Sequence, residues 1–185
     1  CGFQTGAGAI MRSLACRAGS SLAIFGCGAV GVAALMAAVV QGCKTIIVVE
    51  PQAGRRQIAL ELGATHVIDP MAGDTAAAIR AIVPSGVHYA FDSTGIKAVV
   101  ESAIASLALH GTCGFVAAAT PETAISLNLT AAVLGGHTLK GILEGDSDPD
   151  TLIPQLIALY RDGRFPLDKV VKTFSLAQIN EAVAA

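Results

Sequence analysis

Apolar positions in this chain follow two rhythms that alternate for most of its length. Short unbroken apolar runs read as strands, and stretches with apolar positions three and four apart read as helices. The first rhythm predicts strands at 21–25, 45–50, 66–68, 87–92, 112–116, 126–129 and 138–143. The second run of these, Thr45-Ile46-Ile47-Val48-Val49, is strongly β-branched, as a buried strand demands. The second rhythm predicts helices at 6–17, 29–41, 52–62, 96–107, 150–162 and 176–185, and another that Asp74 caps and that runs to about Val83. Residues 170–174 read as extended. Ala18-Gly19, Gly63 and Gly163 supply stops. Strands alternating with helices imply an α/β fold, a parallel sheet of about six strands wound on both faces, with helices at the C-terminus. The expected organisation is one Rossmann-type domain over 1–150 and a helical segment over 151–185.

Composition refines this picture. The 185 residues are 53% hydrophobic but only 4% aromatic, so Ala, Val, Ile and Leu must build the core. Charged residues are 14%, low for a fully solvated globule, which suggests that the domain rests against another domain or a second subunit. A net charge of −2 gives no reason to expect nucleic acid or an anionic membrane as partner. Cys1, Cys16, Cys27, Cys43 and Cys113 form no CxxC pair, and scattered internal cysteines of this kind read as reduced, buried thiols of a cytoplasmic protein. The apolar run 29–40 contains a glycine and is too short to span a bilayer, and no secretory signal is visible. The chain starts at Cys1 rather than at methionine, so a part of a longer protein is expected.

One segment carries the clearest chemistry. Gly26-Cys27-Gly28-Ala29-Val30-Gly31 sits between a predicted strand and a predicted helix, and Glu50 closes the next strand. A GxGxxG alone is weak, but strand, turn, helix, strand and acid in this order form a dinucleotide fingerprint. Gly26 allows the tight turn, Gly28 lets backbone approach a pyrophosphate, and Gly31 lets the helix pack on the strand. The pyrophosphate would lie against the N–H groups of Ala29, Val30 and Gly31. The Glu50 carboxylate would accept from both adenosine ribose hydroxyls and repel a 2′-phosphate, which favours NAD over NADP. Arg55 and Arg56 could offset such a phosphate or form an ordinary solvated helix face. Ligands in such sheets bind at the carboxyl ends of strands. That nominates Asp92-Ser93-Thr94-Gly95 as the adenosine wall, and Val116-Ala117 and the residues from Ile142 to Glu144 near the nicotinamide. Asp92 to Gly95 would serve equally as a helix cap.

The opening Cys1-Gly2-Phe3-Gln4-Thr5-Gly6-Ala7-Gly8-Ala9, with the glycine turn, Glu50 and Gly63-Ala64-Thr65, resembles the zinc-dependent medium-chain alcohol dehydrogenases. The tail, with Gly141-Ile142-Leu143-Glu144-Gly145-Asp146-Ser147, residues 154–157 and 161–166 and Gln178-Ile179-Asn180-Glu181-Ala182, resembles their aryl-alcohol (benzyl-alcohol) branch. The resemblance implies an enzyme in which zinc polarises an alcohol oxygen and hydride passes to NAD, giving the aldehyde. It implies that Cys1 is a thiolate ligand of the zinc, that Thr5 and Val30 flank the nicotinamide, and that Arg55 reaches the adenosine ribose. It further implies that backbone at Val116, Ile142 and Glu144 holds the carboxamide. The strand 126–129, from Ser126 to Leu129, would join two subunits of a dimer or a tetramer.

The resemblance covers only the coenzyme half of such an enzyme. The other zinc ligands would lie in a preceding catalytic domain, toward which 151–185 would pack back. His66, His88, His110 and His137 have no ligand spacing to one another, so the chain alone is expected to bind NAD without turnover. Two other readings keep the fold: the coenzyme domain of a zinc-free quinone or enoyl reductase, which Cys1 and Glu50 disfavour, and a non-catalytic nucleotide-binding module. Asp146, Asp148 and Asp150 suggest a metal-binding run but read as a solvated turn and the N-cap of the next helix. Cys27 could be a redox switch but reads as apolar filler.

Overall fold

The computed structural model of the protein describes residues 1–184. Six strands form one parallel sheet: β1 (Ser21–Phe25), β2 (Thr45–Val49), β3 (His66–Ile68), β4 (Val87–Asp92), β5 (Leu107–Phe115) and β6 (Thr138–Gly141). Their order across the sheet is β3-β2-β1-β4-β5-β6, the doubly wound arrangement in which the chain reverses direction beside β1. Phe25 pairs with Val49 on one side and with Asp92 on the other. The ends of β1, β2 and β4 are therefore level, and the segments leaving these three strands converge on one crevice.

Helices cover both faces. They are α1 (Gly2–Gly8), α2 (Ala29–Val40), α3 (Ala53–Glu61), α4 (Thr75–Ile82), α5 (Lys97–Ala105), α6 (Leu129–Gly135), α7 (Pro149–Arg161) and α8 (Ile179–Ala184). The period of two along each strand divides the core. Leu22 and Ile24 of β1, with Ile46 and Val48 of β2, join the cluster that includes Leu35 of α2 and Leu152 and Leu156 of α7. Ala23 and Phe25, with Ile47 and Val49, join Ile79 of α4 and Val100 and Ile104 of α5 on the opposite face. Each fully buried Leu or Ile here contributes about 2 kcal/mol relative to exposure. Residues Gly31 to Ala38 of α2 are buried on every side, which explains why this helix is apolar all round. Gly6 of α1 makes that burial possible, because a Cβ there would meet Ala33 Cβ and Ala34 N, both at 2.9 Å.

The strands β1, β3 and β4 have the bounds expected from sequence, and Asp74 caps α4 by accepting from Ala77 N–H at 3.0 Å. Four expectations are corrected. The helix predicted at 6–17 begins at Gly2 and ends in a π-helical turn at Ala9–Ser13, so Leu14 N–H donates to Ala9 O, five residues back. The helix predicted to run to Leu107 stops at Ala105, and β5 begins at Leu107, paired with Val87. Leu107 continues the helical rhythm of Val100, Ala103 and Ile104, so periodicity alone misplaces it. The strand predicted at 138–143 ends at Gly141.

The strand predicted at 126–129 does not form. Asn128 accepts from Ala131 N–H at 2.9 Å and starts α6, while Ser126 N–H donates to Glu101 Oε1 at 2.7 Å. Ile125, Leu127 and Leu129 alternate like a strand, but all are exposed, and among the described residues no strand lies beside them. Among the described residues no helix is long and apolar enough to cross a membrane.

Candidate functional site

The glycine turn joins β1 to α2. Gly26 has φ +89°, and a Cβ on it would meet Ser93 Oγ at 2.8 Å. At Gly31 a Cβ would run into the Gly26 carbonyl oxygen. These two glycines are required by the protein's own packing. Gly28 differs: a Cβ there would meet nothing within 4 Å. Its bare backbone is the N-cap of α2, with no side-chain cap on the helix N-terminus. A concave backbone, an uncapped helix start and open space at the one glycine without steric need fit a pyrophosphate.

Glu50 follows β2 and is 3% exposed. Its Oε2 accepts from Cys27 N–H at 2.8 Å and its Oε1 from Gln52 N–H at 2.9 Å. The carboxylate thus braces the glycine turn and retains lone pairs for hydroxyl donors. Arg55 Nη1 stands 4.0 Å from Glu50 Oε2, and its side chain is half-exposed. Arg56 is engaged elsewhere: it donates to the carbonyls of Glu50 and Pro51, both at 2.7 Å, and pairs with Asp69 at 3.0 Å. Only Arg55 of the two is available to a ligand. Across the turn, Ser93 Oγ donates to Phe25 O at 3.0 Å, and Asp92 accepts from Thr94 Oγ1 at 2.7 Å and Gly95 N–H at 2.9 Å.

These residues line a cleft of about 630 Å³ that includes Gly26, Gly28, Ala29, Val30, Glu50, Arg55, Ser93 and Thr94. Its remaining wall was not foreseen from sequence. Pro51, Pro70, Met71, Ile96, Val99 and Ser102 also line it, a largely apolar slot that suits a flat base. The signal for it in the sequence is its place after β2, after β3 and along α5, segments that meet at the crevice through the strand order.

Cys27 lines the same cleft, and burial first, then the Glu50 charge, pushes its thiol up to about 11. It stays protonated at neutral pH, in keeping with a filler role.

Thr5, Val116, Ile142 and Glu144 lie in a second region, outside that cleft. Val116 N–H donates to Asp92 O at 3.2 Å and Ile142 N–H to Phe115 O at 3.0 Å, so the ladder carries both residues past the ends of β5 and β6. Thr5 is buried in α1. The turn after Ile142 is left-handed at three consecutive residues, Glu144 (φ +51°), Gly145 (φ +75°) and Asp146 (φ +47°). Gly145 lies on α1, where a Cβ would meet Gly8 Cα at 2.8 Å and Thr5 O at 2.9 Å.

Asp146 ties this turn down. It accepts from Ser13 Oγ at 2.7 Å, Lys140 Nζ at 3.1 Å and Leu143 N–H at 3.2 Å. The Ser13 hydroxyl first, with Lys140, holds its carboxyl below the usual aspartate range. Asp146 is thus more than part of a solvated turn, and Ser13 and Lys140 carried no local signal at all. Asp148 is the N-cap, accepting from Asp150 N–H at 3.1 Å.

The result is that Cys1 Sγ and Glu144 Oε1 stand 3.8 Å apart. Among the described residues no three His, Cys, Asp or Glu side chains are grouped to hold a metal. A zinc site needs about three protein ligands, so Cys1 and its neighbour do not by themselves form one.

A family model described as zinc-binding dehydrogenase matches residues 29–160. The geraniol dehydrogenase of Castellaniella defragrans is 44% identical over 186 residues, covering 100% of this chain and 50% of that protein. Alcohol dehydrogenase B of Mycobacterium tuberculosis is 35% identical, covering 98% of this chain and 49% of that protein. Among solved structures, an alcohol dehydrogenase zinc-binding domain protein from Burkholderia ambifaria matches with a TM-score of 0.97 at 51% identity, over 100% of this chain and 50% of that one. The benzyl alcohol dehydrogenase of Acinetobacter calcoaceticus matches with a TM-score of 0.96 at 39% identity, over 100% and 51%. The chain spans about half the length of the curated relatives it matches. Fold, crevice and these matches agree: the chain belongs to the zinc-binding dehydrogenase family.

Proposed function

We propose that this chain is the NAD-binding part of an alcohol dehydrogenase that oxidises a primary, aryl alcohol to the aldehyde. The observation that carries the reading is the buried Glu50 carboxylate at the rim of the glycine-turn cleft, braced by two backbone N–H groups. A fixed negative charge there accepts ribose hydroxyls and repels a 2′-phosphate. Arg55, already beside Glu50, covers the ribose from the open side.

The bound coenzyme supplies the hydride acceptor. This chain's residues orient it. Backbone at Gly28, Ala29, Val30 and Gly31 holds the pyrophosphate, and Ser93 and Thr94 line the adenosine. Thr5 and Val30 flank the nicotinamide, and backbone at Val116, Ile142 and Glu144 holds its carboxamide. Cys1 contributes one ligand to zinc in the longer enzyme, the others coming from the half of the relatives that this chain does not cover. Exposed Leu176, Ile179 and Val183, all within 151–185, support packing of that segment against the same half. Exposed Ile125, Leu127 and Leu129 support a subunit contact at 126–129, where a strand would form only on pairing with a second copy.

Calorimetric titration of the chain with NAD and NADP tests the coenzyme. NAD should bind at least about tenfold tighter, and equal affinities would overturn the assignment. Turnover of benzyl alcohol against geraniol by the longer protein tests the substrate. The geraniol dehydrogenase similarity makes a terpenoid alcohol the competing outcome.

A further inference from the structure

Arg56 and Asp69 stand behind the cleft rather than in it. Among the described residues that line the cleft neither is found, but their chain neighbours Arg55 and Pro70 both are. Arg56 Nη1 donates to the carbonyls of Glu50 and Pro51, and its Nη2 pairs with Asp69 Oδ2 at 3.0 Å. The other carboxylate oxygen, Asp69 Oδ1, accepts from Met71 N–H at 2.9 Å. That bond caps the short 3-10 turn Pro70–Ala72, which brings Pro70 and Met71 into the cleft wall. A line of contacts thus runs from the Glu50 backbone, through one guanidinium and one carboxylate, to the Met71 backbone.

This line joins two segments that the sheet lets go. The pairing of β2 with β3 ends at Val49 and Ile68, and Glu50 N–H extends it by one bond, to Ile68 O at 3.1 Å. The chain after β2 then enters α3, whose Ala59 packs on one face of the sheet. The chain after β3 leads to α4, whose Ile79 packs on the other. The two cleft-lining turns therefore diverge, and the Arg56–Asp69 pair spans the gap between them. Its side chains are 19% and 35% exposed, so water screens it less than an ion pair on the open surface. The planar fork of an arginine meets three oxygens on two segments at once, which the single ammonium of a lysine cannot do in the same geometry. Arg56 is neither a partner for a 2′-phosphate nor a solvated helix residue.

We infer that Arg56 and Asp69 are positioning residues for the adenosine half of the coenzyme. Acting through Glu50 on one side and Met71 on the other, they set the spacing between the carboxylate that accepts the ribose and the wall that meets the base. The inference rests on the reading of this cleft as an adenosine site. Its physical content is pre-organisation: two turns held in place before binding need not be ordered by the ligand.

Calorimetric titration of the full chain with ADP-ribose, NAD and NADP tests this, with urea unfolding in parallel to report stability separately. Arg56→Lys and Asp69→Ala should each weaken ADP-ribose and NAD about tenfold. The double variant should also lose about tenfold and no more, because either change alone breaks the same link. Asp69→Asn keeps an acceptor for Met71 N–H and should lose less than Asp69→Ala; it carries the test if Asp69→Ala is too unstable to titrate. The preference for NAD over NADP should narrow in Arg56→Lys, since Glu50 is then less firmly placed, and a loss of stability alone would not move that ratio. Unchanged ADP-ribose affinity and coenzyme preference in the folded variants would overturn the inference and leave the cleft reading standing. Additive losses of about a hundredfold in the double variant would overturn the link between the two residues. An unmutated protein that binds neither ADP-ribose nor NAD would overturn the cleft reading and this inference with it.

Discussion

The two halves of the crevice are built differently. Around Gly26 to Gly31 and Glu50, the parts lie close in sequence and brace one another: Gly31 packs on Gly26, and Glu50 binds the turn through Cys27. Around Glu144, the parts come from far apart. Cys1 is 143 positions away and Ser13 is 133 positions from Asp146. The turn is left-handed at three residues, and its anchoring groups are exposed. The first region is a finished socket. The second is a tethered arm whose position depends on one carboxylate.

The sharpest way to break the socket is Gly31→Ala. Its methyl would strike a backbone carbonyl that cannot give way, and urea unfolding should show a loss of about 3 kcal/mol, with coenzyme binding abolished in calorimetry. Glu50→Ala comes next. The buried Cys27 N–H and the more open Gln52 N–H lose their acceptor, at a cost of about 2 kcal/mol, and the preference for NAD over NADP should narrow. An unchanged preference removes Glu50 from coenzyme selection.

Asp146→Asn probes the arm and should cost no more than about 1 kcal/mol, since the groups are solvated. It should weaken NAD while leaving ADP-ribose binding unchanged, whereas Glu50→Ala should weaken both; equal effects on the two ligands would erase the distinction between the regions. The Asp146 carboxyl sits below its ordinary value. Its contribution is therefore present above the unfolded value of about 3.9 and is lost as pH falls through the lower folded one. The stability gap between the unmutated protein and Asp146→Asn, followed by thermal melts against pH, should close in acid and stay constant above about pH 5. The smallest effect is expected at Cys27. Its thiol, raised to about 11, should stay unlabelled by iodoacetamide at neutral pH while the exposed Cys1 reacts.

The same contrast explains how far the sequence could be read. The socket announces itself because a turn, a helix start and an acid succeed one another in order, and β1, β3 and β4 have the predicted bounds. The slot formed by Pro51, Pro70, Met71 and Ile96 has no local pattern, because its walls meet only through the sheet order. The anchoring of Asp146 by Ser13 and Lys140 is equally silent, for a short polar side chain near a turn reads as solvated unless its distant partners are known. The predicted strand at 126–129 failed for a different reason. Its alternation is real, but one edge of backbone cannot form a strand without another to pair with, and Asn128 offers a helix start instead.

The strand order also sets a timetable. β1 takes β2 as one neighbour and β4 as the other. The first neighbour comes soon after β1 along the chain, whereas the second arrives only after α2, β2, α3, β3 and α4 have been made. A chain leaving the ribosome therefore carries Ser21–Phe25, apolar from Leu22 onward, with one unpaired edge until Val87–Asp92 emerges. Such an edge is a template for wrong pairing. The glycine turn can close early, but the far wall of its cleft, Ser93 and Thr94, comes after that last pairing, so the ability to hold a nucleotide marks the moment at which the most exposed edge of the nascent sheet has been covered.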